Sequence, residues 1–279
     1  MNSVHHLPPG DSTLLASSGS LSSSTEAELD LSKIAADNDP QTLFYLTLGT
    51  NNTSGSQPVE GTSVQDILTT AYFWAVKIER TILNNKLGKG TDVERHDIQA
   101  CWARAAYRVK ILNTLAGETT WLTFVSTETV TATRHQLSGD YHHDKLVYQE
   151  AIRNGVTTKF PEIDAGSLDI IGKLIAEILA LGRHSLSSPK TISFSFALPL
   201  LINSGGITQS ALRLVTVNFT TKDVDGKPGL EAYSTVNQGT LNKPAFDEAA
   251  QQFGQTDLEI GKALVQGLTL TLVGTDLGR

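Results

Sequence analysis

Hydrophobic positions recur along this chain with two spacings, and the switch between them divides it into strands and helices. Thr42 to Leu48 is a compact aromatic and aliphatic run followed by the polar stretch GTNNTSGSQPVEG, which predicts a strand and then a loop. From Thr62 to about Leu87 the apolar residues Val64, Ile67, Leu68, Ala71, Ala75, Ile78 and Ile82 return every three or four positions, as one face of a helix requires. LGKGTD at 87–92 interrupts the pattern. Ile98, Cys101, Trp102, Ala105, Val109 and Leu112 then resume it to about Leu115, so two long helices are expected to pair antiparallel.

Residues 119–133 alternate and are rich in Thr and Val, which predicts an extended strand or a hairpin. A shorter helix is expected over 141–154 and the most hydrophobic one over 163–182, where Asp169, Lys173 and Glu177 form a narrow polar strip one turn apart. Ile192 to Leu198 alternates with period two, and Pro199, lacking a backbone N–H, implies an edge, bulge or interruption there. Leu200-Leu201-Ile202 continues the apolar run, Asn203 to Gly206 supplies a turn, and 210–221 is expected to return as an antiparallel neighbour. After a polar turn at 223–229, Glu231–Val236 predicts a short extended segment, 244–253 and 257–265 short helices, and 268–273 a final strand.

Strands and helices do not alternate regularly, which argues against a barrel or a doubly wound sheet. The expected fold class is α+β: a predominantly antiparallel sheet covered by two helical hairpins in a single main domain over 29–279, behind a flexible Ser-rich leader at 1–28. That leader has eight Ser, two Thr and no Lys or Arg, so it lacks the basic flank and apolar core of a signal peptide. The expected location is cytoplasmic, or exported without a classical signal peptide. The stretch 163–182 contains Asp164, Asp169, Lys173 and Glu177, whose charges oppose a membrane-spanning role.

A formal charge of −7 argues against a nucleic-acid partner, since backbone binding needs many cationic contacts. The single cysteine, Cys101, excludes an intramolecular disulfide and a cysteine zinc cluster. Cys101 is either a packing residue beside Trp102, the reading its apolar stripe favours, or a reactive group open to acylation. His135, His142, His143 and Asp144 form the densest titratable neighbourhood, the candidate for metal or acid–base chemistry, with Arg134 placed to hold a nearby carboxylate instead, although adjacent His142 and His143 cannot share one helix face. Gly10-Asp11-Ser12-Thr13 resembles the nucleophile block of GDS-type hydrolases but stands in the leader, without a preorganised base. GKGT at 88–91 lacks the phosphate-loop framework, and Asp223-Val224-Asp225-Gly226 lacks the remaining ligands of a calcium loop. No metal and no cofactor are expected.

The order of elements resembles that of cytolytic toxins in which helical hairpins wrap a sheet, with no residue motif in common and hence no site carried over. The expected function is a non-enzymatic interaction or effector protein, membrane-active in the manner of a soluble toxin or virulence factor in its more specific form. Its expected partners are a lipid surface or another protein. The alternative is a small-molecule enzyme or ligand-binding protein with a pocket between sheet and helices.

Overall fold

The computed structural model describes residues 41–48, 64–76, 98–156, 159–184, 191–224, 226–252 and 255–272. In chain order they form β1 (Leu43–Leu48), α1 (64–76), α2 (Ile98–Glu118), β2 (Leu122–Gln136), α3 (Tyr141–Val156) and α4 (Ala165–His184). There follow β3 (Thr191–Ser204), β4 (Ile207–Val224), β5 (Lys227–Leu241), α5 (Lys243–Ala250), α6 (Gln255–Leu268) and β6 (Thr269–Leu272). The leader at 1–28, the Gly10-Asp11-Ser12-Thr13 string, the far part of the first predicted helix and GKGT all lie outside the described residues.

The strands make one sheet in the order β2-β5-β4-β3-β1-β6. Tight turns dictate its antiparallel part. Gly205 and Gly206, at φ of 60° and 82°, close β3 onto β4 through a two-residue loop that only residues tolerant of positive φ accept. Gly226, at φ 75°, stands in the equally tight turn between β4 and β5, and β5 pairs in turn with β2. The fold is α+β as expected, but the sheet is mixed rather than predominantly antiparallel, because β1 runs parallel to both β3 and β6. The cause is connection length: chain that passes through several helices can re-enter the sheet in the same direction, whereas a two-residue turn cannot.

The period of two sorts the sheet residues onto two apolar faces. Phe44, Leu46, Phe194, Phe196, Leu198, Val215, Val217 and Phe219 meet Tyr148, Ile152, Leu168, Ile171 and Ile175 of α3 and α4. On the other face Leu43, Tyr45, Ala197, Leu212 and Leu214 meet α1, α2, Phe246 of α5, and Leu264 and Val265 of α6. Helices therefore lie on both faces, and β1 is buried on both, which explains its unbroken apolar run from Leu43 to Leu46.

α3 packs along α4, where a Cβ added to Gly172 would lie 3.9 Å from Gln149 and Ile152. Of the other predicted helix pair, α1 and α2 meet around Ala75, Ile111 and Leu115, while 77–97 lies outside the described residues. α6 approaches α1 so closely at Gly261 that a Cβ there would collide with the Thr69 side chain.

Pro199 does not interrupt β3, which pairs with β4 from Thr191 to Ser204. Ser195 donates its N–H to Thr42 on the β1 side at 2.8 Å, and strand alternation points the Pro199 nitrogen the same way. The described pairing with β1 stops at Ala197, so the missing donor falls where no ladder bond is required.

Candidate functional site

The polar candidates Arg134, His135, His142 and Asp144 flank the junction of β2 and α3. Arg134 stands opposite Glu231 and His135 opposite Leu230 in the β2–β5 register, and their side chains lie outside the described residues. His142, in the first turn of α3, is exposed, with its ring edge-on to Tyr141 at 5.3 Å. Asp144 is buried and turned inward, accepting the Ser138 N–H at 2.8 Å, the Ser138 hydroxyl at 3.2 Å and the Gly139 N–H at 3.2 Å. His142 and Asp144 are therefore not brought together. His143 Nδ1 comes within 3.5 Å of the Asp144 carboxylate from an exposed position.

The local chemistry at this junction is that of a helix start. Asp140 caps α3 by accepting the His143 N–H at 2.9 Å, and that bond, followed by its neighbours, holds its carboxyl below the usual range. Asp144→Ala would remove the buried acceptor that the exposed Ser138 and Gly139 donors share and is expected to lower stability by about 1 kcal/mol. Urea unfolding reads this loss; an unchanged midpoint would mean that the turn at Gly139 holds without the carboxylate. Cys101 lies within α2, and its side chain is outside the described residues.

Two charged clusters were not read as sites. On α4, Asp169 meets Lys173 at 2.7 Å as the helical spacing predicted, and α3 adds Arg153 at 2.9 Å and Gln149 at 3.1 Å. Lys173 first, then Arg153 and Gln149, push the Asp169 carboxyl far below its ordinary range. On the same side of the sheet, Arg213 of β4 grips both Glu162 carboxylate oxygens and the Lys159 carbonyl, and so ties the connection between α3 and α4 to the strands. Its sequence signal was parity, because Arg213 stands in register with the core residues Val215 and Val217.

Between β1, β3, α1 and α2 a cavity of about 10 Å³ is lined by Tyr45, Leu68, Tyr72, Leu112 and Ser195 among others. The Ser195 Oγ is buried there without a hydrogen-bond partner among the described residues. A space of that size suits a single water molecule. Arg134, His135, His142 and Asp144 are not among the residues around it. The described residues contain no group of three or more metal-ligating side chains.

Leu146 of α3 and Ile170 of α4 are singly exposed, whereas at the far end of β3 and β4 exposed aliphatic residues share one projecting element. β5 accompanies β4 only as far as Ala211↔Thr240, and the described β1 pairing ends at Tyr45↔Ala197. Beyond Ala211 the pairs Leu201↔Ser210, Ile202↔Gln209, Asn203↔Thr208 and Ser204↔Ile207 continue as a two-stranded ribbon. Four further pairs at ~3.4 Å each carry the tip roughly 14 Å past the end of β5. Its side chains are unlike those of an ordinary exposed turn: Leu201 is 40% and Ile207 62% exposed, and Ile202 is only partly covered. The signal in the sequence is the run Thr191–Leu212, in which no residue is charged.

Among the described residues no helix is long and apolar enough to cross a membrane, which says nothing about strands. No protein-family model matches the chain, and no curated protein matches it.

Proposed function

We propose that the protein is a non-enzymatic interaction or effector protein whose more specific action is at a membrane surface. The observation that supports this reading is the β3–β4 ribbon, which carries Leu201 and Ile207 past the sheet into water. Single exposed aliphatic residues are ordinary on a soluble protein; two of them at the end of a projecting, charge-free ribbon form an element suited to contact. The helical faces that a toxin-like mechanism would release, including Ile171 and Ile175 of α4, are packed against the sheet.

The alternative, a ligand-binding protein or enzyme with its pocket between sheet and helices, has in its favour the unpartnered Ser195 Oγ beside the small cavity. The two readings separate experimentally. The full chain is expected to co-sediment with phosphatidylcholine vesicles or with mixed phosphatidylcholine–phosphatidylserine vesicles, and dye leakage then reports whether binding disturbs the bilayer. Recovery of all the protein in the supernatant, with both compositions and at acidic and neutral pH, would remove the membrane form of the proposal.

A further inference from the structure

We infer that the β3–β4 ribbon enters the headgroup region of an electrically neutral bilayer tip first, with the rest of the fold intact. This rests on the membrane reading above and assigns it a contact surface and a lipid class.

The ribbon carries apolar side chains on both of its faces. Leu201 shares strand parity with Ser195 and Ala197, so it lies on the side of α1 and α2. Ile202 and Ile207 share the parity of Phe196 and Val215, on the side of α3 and α4. A tip that is apolar on both sides is suited to immersion.

The tip is also too small for a stable protein interface. A stable protein interface buries ~800 Å² on each partner and is anchored by Trp, Tyr or Arg. The stretch Pro199–Leu212 has none of those three residue types, and two aliphatic side chains at 40% and 62% exposure are a small fraction of such an area. Lipid requires no shape complementarity, so a small wedge suffices.

Charge selects the lipid. With no charged residue from Thr191 to Leu212, insertion desolvates no ion, and nothing on the tip attracts an anionic headgroup. The formal charge of −7 repels an anionic surface. Asn203, Thr208 and Gln209 place uncharged hydrogen-bonding groups beside the aliphatic ones, at the level where headgroups and water mix.

Backbone chemistry limits the depth. Beyond the last β1 pair at Ala197 and the last β5 pair at Ala211 no further pairing is described for the outer edges of β3 and β4, so the outward N–H and C=O groups of the ribbon need water or headgroups as partners. Entry therefore stops at the interface, about 5–10 Å deep, which the projecting length accommodates.

The test uses the full chain and its double variant Leu201→Asp/Ile207→Asp, both positions being exposed. Leu201→Ser/Ile207→Ser serves as a second variant without added charge, and thermal unfolding checks that each remains folded. Wild type is expected to bind phosphatidylcholine vesicles equally at low and high salt, and both variants to bind about tenfold more weakly or worse. Undiminished binding by both folded variants would overturn the ribbon assignment while leaving membrane action standing. Binding only to phosphatidylserine-containing vesicles, abolished by salt, would overturn the neutral-lipid assignment alone. No vesicle binding by wild type would remove the membrane reading itself. Self-association of wild type that both variants lose would reassign the tip to a second copy of this chain.

Discussion

Phe196→Ala is expected to cost about 3–5 kcal/mol, the range for deleting a fully buried aromatic ring. Phe196 is 0% exposed and stacks on Phe44 with ring centroids 5.3 Å apart and planes 11° apart. The contact joins β3 to β1 across their parallel register, Phe44↔Phe196. Further rings continue the row: Phe194 lies 6.4 Å from Phe44 and 6.0 Å from Phe219, which meets Tyr148 of α3 at 6.2 Å. Alanine at 196 would leave a void in the middle of that row, where strands and helices are all held in place and cannot collapse inward. Against a total stability of about 5–15 kcal/mol, the loss would make the domain marginal. Urea unfolding measures it. Phe246→Ala provides a comparison, since that ring sits at the border of the other face with Trp121 edge-on at 6.0 Å, and a smaller loss is expected there. A cost below about 1 kcal/mol at Phe196 would be incompatible with β1 packed parallel beside β3.

Much of this fold could be read from periodicity, because periodicity records burial on one face. β1, α3, α4 and the short terminal helices occupy nearly the positions expected, and Asn242 caps α5 ahead of Pro244, so the proline-bearing first turn was a sound signal. Neighbour choice was not readable. That β1 sits between β3 and β6 is decided by how helical connections pack, and no residue in Leu43–Leu48 records which strand lies beside it. β5 was underestimated because GLEAYSTVNQGT has few large apolar residues. Its inward side needs only Leu230, Ala232 and Val236 at every second or fourth position, since the large rings opposite fill the remaining space.

The candidate site shows the same limit. Leu200-Leu201-Ile202 and its turn were visible as an apolar run and a hairpin, and an alternating apolar run ordinarily implies cover. The exposure of Leu201 and Ile207 follows instead from β5 and β1 ending before β3 and β4 do, a fact about other segments. Asp144 lies beside two histidines in sequence, and the fold gives its carboxylate the Ser138 and Gly139 donors as well as His143 Nδ1 at 3.5 Å, a turn geometry that sequence proximity does not record.

Arg213→Ala is expected to lower stability by about 2–3 kcal/mol, less than the 3–5 typical of a fully buried pair because water still reaches both groups. The side chains of Arg213 and Glu162 are 16% and 22% exposed, and Nη1 lies 2.9 and 2.8 Å from the two carboxylate oxygens. The same guanidinium holds the Lys159 carbonyl at 3.1 Å and, through Nε, the Gln238 side chain at 3.0 Å. Alanine would strand all these acceptors at once. It would also loosen the connection that leads into α4, where Asp164 accepts the Ser167 N–H and caps the helix. Arg213→Lys is expected to rescue little, since a single ammonium cannot reproduce a planar fork bonded on several sides. Arg213→Ala combined with Glu162→Ala should cost less than the sum of the single changes, and a double-mutant cycle in urea measures that coupling. Strict additivity would show that the two groups merely lie side by side. Arg213 is also the first charge after the uncharged run Thr191–Leu212, standing where β4 leaves the ribbon and enters the sheet. A folded Arg213→Ala protein should therefore bind vesicles as wild type does while unfolding at lower denaturant, separating the residue that anchors the sheet from those that meet lipid.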